Sequence, residues 1–193
     1  MKSHFFAYLL RMKNIKRWGL MRNHIEENVK EHSLDVAYIA HGIALIGNVY
    51  YHKNYNQEHI AVLAMFHDAS EVITGDLATP IKYFNPAIKK AYKEIEHTAS
   101  EKLAAMLPEE LQDHYKGLIL EKAASEEELR IVKAADKISA YFKCVEELKS
   151  GNHEFLMAQK ALLDQIHELA LPEAEAFMDM FAESVGLTLD ELH

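Results

Sequence analysis

Helix punctuation is the feature of this chain that most restricts its fold. Asn28, with Glu31 three residues on, forms a capping-box-like start for a helix running to about Gly47. Asn56 opens the next, which the spacing carries to about Gly75. In "NPAIKKAYKEIEHTASEKLAAM", Asn85 takes the cap and Pro86 the first helical position, where a missing N–H is harmless. Pro108 starts a shorter helix to about Glu121, and Ser125 with Glu128 repeats the capping box before a long helix ending at Gly151. Asn152 caps another, and Pro172 begins one that Gly186 closes. Apolar residues recur at helical spacing in most of these segments, while two-residue alternation between turn signals is scarce. The predicted fold is all-α, a bundle of about seven or eight helices.

The 193 residues are 49% hydrophobic, enough for one substantial core, and no linker, repeat or low-complexity tract divides them. A single domain over 1–193 is expected. The lone cysteine, Cys144, excludes an internal disulfide framework and a cysteine-based zinc site; it fits a reducing cytoplasm and reads as a small buried hydrophobe. No apolar run approaches the ~18 residues that span a bilayer, so no membrane partner is expected.

Lys2, Arg11, Lys13, Lys16, Arg17 and Arg22 precede the first acid, Glu26. The apolar stretch Phe5 to Leu10 is short for a secretory signal and no small-residue cleavage site follows, which leaves an amphipathic targeting presequence as a minor alternative. The first 25 residues carry +6 and the remainder −15, for a net charge of −9. So acidic a field repels a polyanion, and binding of a nucleic-acid polymer is not expected. The cationic start suits either a single phosphate group or a solvated helix face.

The chemistry concentrates around "AMFHDASE", Ala64 to Glu71. Ile60, Leu63, Ala64, His67 and Glu71 follow i, i+3, i+4 steps, so a regular helix would continue its core-facing stripe through His67 and Glu71. Asp68 then lies about 100° around from His67. His32 heads the stripe Val36, Ile39, Ile43 and Ile46, and Asp136 interrupts Leu129, Val132 and Ala140. Buried carboxylates without partners are costly, so such groups are paired or bound to a cation. Two imidazoles and two carboxylates make a four-ligand N/O set that suits a divalent first-row metal with room for water.

Taken singly, each position has a plain structural account. His32 fits a satisfied core histidine, Asp136 beside Lys133 and Lys137 a surface ion pair, and Glu71 a solvated helix end. A His-Asp dipeptide is expected by chance about 0.5 times at this composition. The ordered set is more specific: a histidine on one helix, His-Asp on the next, and a later aspartate.

In that order His32, His67 with Asp68, and Asp136 resemble the H…HD…D pattern of the HD-domain metal-dependent phosphohydrolases. More narrowly, "NIKRWGLMRN", "EHSLDVA", "HDASEVITGDLATPIKYFN", "KAADKISAYFKCVEELKSGN" and "LTLDEL" are similar to the bacterial 5'-deoxynucleotidases of the YfbR type, over nearly the whole chain. One departure is Ala78 in "GDLATP", where the family pattern has proline.

The resemblance implies an HD-domain helical bundle, a homodimer, and hydrolysis of deoxyribonucleoside 5'-monophosphates by water activated on one divalent metal, cobalt or manganese. It implies metal ligation by His32, His67, Asp68 and Asp136, and catalytic roles for Glu71 and Arg17. It also implies substrate contacts from Arg17, Trp18, His32, Asp68, Asp76, Leu77, Ala78 and Thr79. Glu71 would act either on the water or on the departing 5'-oxygen. Two other readings stand beside this one: hydrolysis of another phosphoester (a cyclic nucleotide, a nucleoside triphosphate or an alarmone), and a helical scaffold that keeps a metal for stability alone.

Overall fold

The computed structural model of the chain describes residues 2–82 and 84–193. Its α-helices are α1 (Phe5–Leu9), α2 (Val29–Tyr50), α3 (Gln57–Phe66), α4 (Glu71–Thr74), α5 (Thr79–Lys82), α6 (Pro86–Ala104), α7 (Glu109–Ile119), α8 (Glu126–Lys149), α9 (Leu156–Glu168) and α10 (Pro172–Phe181). Among the described residues, seven of these reach ten residues or more and no strand occurs. The fold is all-α, as the punctuation requires. No helix among the described residues is long and apolar enough to cross a membrane.

The caps work through the expected groups. Asn28 Oδ1 accepts from the N–H of Lys30 and Glu31. Ser125 and Glu128 form a reciprocal capping box that starts α8, and Asn85 Oδ1 accepts from Ile88 N–H ahead of Pro86. Besides α10, which ends at Phe181 with a short 3-10 turn before Gly186, two expected boundaries differ. α2 runs three residues past Gly47, because that glycine is a contact rather than a stop: a β-carbon there would lie 2.6 Å from the Tyr55 ring. Pro108 is the cap of α7 rather than its first residue, with extended ψ at 144°.

The third difference bears on function. α3 does not continue to Gly75 but ends at Phe66, and residues 67–70 form a tight turn before α4. Ala69 N–H reaches back to Phe66 O at 3.0 Å, a three-residue step that tightens the coil. A regular helix would swing Asp68 about 100° away from His67. Both adjacent side chains nevertheless reach one centre, with His67 Nε2 3.1 Å from Asp68 Oδ2.

α2 lies in the middle, packed on α3, α8 and α10. The main core holds Val36, Ile43, Ile60, Leu63, Ile131 and Ile138. A second cluster joins Phe5, Ala69, Leu103, Leu107 and Ile119. The turn at 67–70 passes from one cluster to the other: Leu63 and Ala64 belong to the first and Ala69 to the second. Its polar side chains are thus fixed from both ends.

Candidate active site and metal centre

Residues 15–28 form a loop closed at its base by an antiparallel bridge between Lys16 and Asn28. Arg17 N–H donates to Glu27 O, and Val29 N–H to Ile15 O, both at 3.0 Å. The far end of the loop is tied down by Glu147, a fully buried carboxylate on α8. It accepts from the backbone N–H of His24 and Ile25, from Asn152 Nδ2 and from the buried Lys143 ammonium. Lys143 also donates to Ile25 O. Of the cations in the acid-free start, Lys16 pairs with Glu26 and Arg22 with Glu154 on the outside, whereas Arg17 turns inward.

His32, from the first turn of α2, is fully buried. Its Nδ1 is hydrogen-bonded to Ser139 Oγ at 3.1 Å, and its Nε2 lies 3.1 Å from Asp136 Oδ1 and 3.8 Å from Asp68 Oδ2. His67 Nδ1–H donates to the Ala64 carbonyl at 2.7 Å, which fixes the tautomer and leaves Nε2 as the free nitrogen. That Nε2 comes within 3.1 Å of Asp68 Oδ2 and 4.0 Å of Asp136 Oδ1, yet it is buried without a hydrogen-bond partner of good geometry. One donor atom from each of His32, His67 and Asp68 falls within a mutual 4.8 Å. Asp136 adjoins both histidines from the α8 side.

The electrostatics have the same centre. Burial opposes charge on His67, but the Asp68 carboxylate, with Asp136 behind it, raises its pKa to about 9. Burial likewise opposes charge on Asp68; His67, then His32 and Arg17, hold it well below the usual carboxylate range. A buried nitrogen without a partner, facing carboxylates rather than bonding to them, is chemistry that a shared cation satisfies. The N/O donors therefore fit a divalent metal.

Glu71 opens α4 one turn beyond the His-Asp pair and is 6% exposed. Its Oε2 has no hydrogen-bond partner. Burial first, then the charges of Asp68 and Asp76, push its carboxyl up to about 9. Gly75, at φ 73°, ends α4 and turns the chain into Asp76, Leu77 and Ala78 before Thr79 starts α5. Only glycine adopts that backbone readily. Tyr92 on α6 donates to Gly75 O, and Lys82 pairs with Glu96 at 2.9 Å, so α6 braces both ends of this segment. Asp76 is shifted upward by partial burial and by Asp68, with Arg17 acting in the opposite sense.

The structure brings Arg17, His32, His67, Asp68, Asp136 and Glu71 to one centre and runs the segment of Asp76, Leu77, Ala78 and Thr79 directly out of it. Trp18 stands beside Arg17, half-buried, its ring 5.2 Å from Phe155. The sequence reading missed Glu27, Ser139 and the Lys143–Glu147 pair. Glu27 reads as a charged loop residue before a cap. Its one signal is position: it belongs to the first acids after 25 residues without any.

A profile described as "5'-deoxynucleotidase YfbR-like" matches residues 4–185. A 5'-deoxynucleotidase of Vibrio vulnificus is 54% identical over 191 residues, covering 99% of this chain and 98% of that protein. One from Yersinia pseudotuberculosis is 54% identical over 190 residues, covering 98% and 96%. Among solved structures, an HD-domain phosphohydrolase from Listeria innocua superposes with a TM-score of 0.83 at 24% identity, covering 94% of this chain and 88% of that one. A cyanophage S-2L HD phosphohydrolase, solved with dA and one catalytic Zn2+ ion, gives 0.66 at 23% identity, covering 94% and 96%. These two likenesses establish the HD-domain fold.

Proposed function

The chain belongs to the YfbR-like 5'-deoxynucleotidase family, and on that premise we propose that it hydrolyses deoxyribonucleoside 5'-monophosphates to deoxynucleosides and phosphate. The observation that carries the reading is the mutual approach of the His32, His67 and Asp68 donor atoms within 4.8 Å, with the Arg17 guanidinium 3.6 Å from the same Asp68 carboxylate. A structural metal site needs no inward arginine, and a phosphate does.

The roles we assign are those the family resemblance implies, and the approach of His32, His67, Asp68 and Arg17 to one another supports them. His32, His67, Asp68 and Asp136 would hold a divalent ion, cobalt or manganese, which supplies Lewis-acid charge and lowers the pKa of water. Arg17 offers its planar fork to two phosphoryl oxygens, with His32 and Asp68 beside them. Glu71, whose carboxyl is pushed up to about 9 by burial and then by Asp68 and Asp76, would exchange a proton with either the water or the departing 5'-oxygen. Asp76 accepts from the 3'-hydroxyl with Thr79 assisting, and Leu77 and Ala78 line the sugar and base. Trp18 forms a wall against C2' that leaves a 2'-hydroxyl unpaired, worth about tenfold to a hundredfold against ribonucleotides.

We further infer a cytoplasmic homodimer of single-domain chains. Leu34, Tyr38, Leu45 and Val49 are exposed along one side of α2, an apolar stripe that a second copy would cover. Light scattering tests the dimer. A phosphate-release assay across dAMP, AMP, a cyclic nucleotide and a triphosphate, with and without cobalt or manganese, tests the activity. Metal-dependent turnover selective for dAMP is expected, and equal rates on AMP and dAMP would defeat the assignment.

A further inference from the structure

The contacts of Glu27 are distributed in an unusual way. Its carbonyl accepts the Arg17 N–H at 3.0 Å, and Oε2 of its carboxylate accepts both Arg17 Nε at 3.0 Å and Trp18 Nε1 at 2.8 Å. One residue thus holds two consecutive residues, and one oxygen atom holds both of their side chains. The Glu27 side chain is 11% exposed, so these bonds form largely out of water, where charge-assisted contacts are strong. Its other oxygen, Oε1, faces the His32 ring, 3.9 Å from Nδ1.

Two constraints meet here. Trp18 has φ 57°, a left-handed conformation that a bulky residue keeps only when its surroundings impose it. Met21 N–H and Asn23 Nδ2 hold its carbonyl, at 2.9 and 3.3 Å, but they leave the indole free to turn. The Nε1–H···Oε2 bond fixes that turn. For Arg17, capture of Nε by Glu27 leaves the Nη end of the fork to project toward Asp68 and the metal ligands.

We propose that the Glu27 carboxylate is a positioning residue that sets the phosphate clamp and the sugar wall in a single register, so that phosphate binding and rejection of the 2'-hydroxyl depend on one group. The inference rests on the roles given above to Arg17 and Trp18. It differs from a purely structural role because loss of the carboxylate should change discrimination between substrates and not only stability.

Glu27→Ala removes the two side-chain contacts and leaves the backbone bond to Arg17 in place; Glu27→Gln keeps the shape and removes the charge. Both are compared with the native protein in three ways. Steady-state kinetics on dAMP and AMP report kcat and KM separately. Manganese binding reports the metal set. Quenching of the sole tryptophan, Trp18, by acrylamide reports the indole without any turnover.

For Glu27→Ala we expect KM for dAMP to rise about tenfold to a hundredfold, the scale of a hydrogen bond to a charged group. The dAMP-to-AMP preference should fall toward unity, Trp18 should become more quenchable, and manganese stoichiometry should not change. Glu27→Gln should fall between. A folded variant with native preference and native quenching would overturn the proposal, and so would loss of fold in both variants, which would assign Glu27 to stability alone. Lack of dAMP preference in the native protein would instead strike the parent reading, and the quenching measurement would still decide Glu27.

Discussion

Arg17 Nη1 stands 3.6 Å from Asp68 Oδ2, so the guanidinium assigned to the phosphate borders a carboxylate assigned to the metal. Lysine would preserve the charge but not the planar fork that grips two oxygens. Arg17→Lys should therefore lower kcat/KM for dAMP by about tenfold to a hundredfold. Manganese affinity should change little, since no ligand is lost. Equal kcat/KM in native and variant enzyme would show that the fork does not touch the phosphate.

Glu71 sits within the same field, with no partner for Oε2 and its carboxyl pushed up to about 9 by burial and then by Asp68 and Asp76. Glutamine copies the shape of the protonated acid without a transferable proton. Glu71→Gln should keep the metal and the substrate KM while kcat falls by about a hundredfold or more, the usual scale of general acid catalysis. Metal content by elemental analysis beside single-turnover kinetics checks both halves. Near-native turnover would remove Glu71 from the chemistry.

His67 ties metal binding to pH. Without metal, burial works against its charge but Asp68 and Asp136 prevail, and the imidazole stays protonated up to about pH 9. A raised folded-state pKa stabilises the metal-free fold below the ordinary histidine value and loses that contribution as pH rises through about 9. Metal needs the neutral ring, so binding must expel the proton. Calorimetry of manganese binding in buffers of different ionisation heat should find about one proton released from His67 at pH 7 and almost none at about pH 10. Release that does not vary with pH would contradict this.

Much of this site is legible in the sequence. Caps at Asn28, Asn85 and Ser125 act over short range, so composition at the helix ends identifies them. His32 and His67 stand out because they lie on apolar stripes, Asp136 because it interrupts one, and Asp68 because it adjoins His67 in the ordered set. The break after Phe66 is not legible: "AMFHDASE" keeps helical spacing and carries no glycine or proline to mark a turn. Glu27 and Glu147 were missed for a related reason. Their partners Arg17, Trp18, His24 and Ile25 lie on an irregular loop, where no periodicity says which acid they meet.

Glu147 supplies the acid-side test of that loop. It is buried on α8 one turn after Lys143, which donates to it, and it also accepts from His24 N–H, Ile25 N–H and Asn152 Nδ2. Burial alone would raise its pKa; the Lys143 hydrogen bond, followed by the two backbone donors and Asn152, instead holds it down to about 2. A depressed folded-state pKa stabilises the fold above the unfolded value of about 4.5, and that stability is lost as pH falls toward 2. Glu147→Gln leaves the Lys143 ammonium buried without its counter-ion, at a cost of about 3–5 kcal/mol at pH 7. At low pH the native side chain is itself protonated and differs little from glutamine. The gap in Tm between native and variant protein should therefore be widest near pH 7 and narrow steadily from about pH 5 to about pH 2. An undiminished gap at pH 3 would mean that Glu147 holds the loop by shape rather than charge.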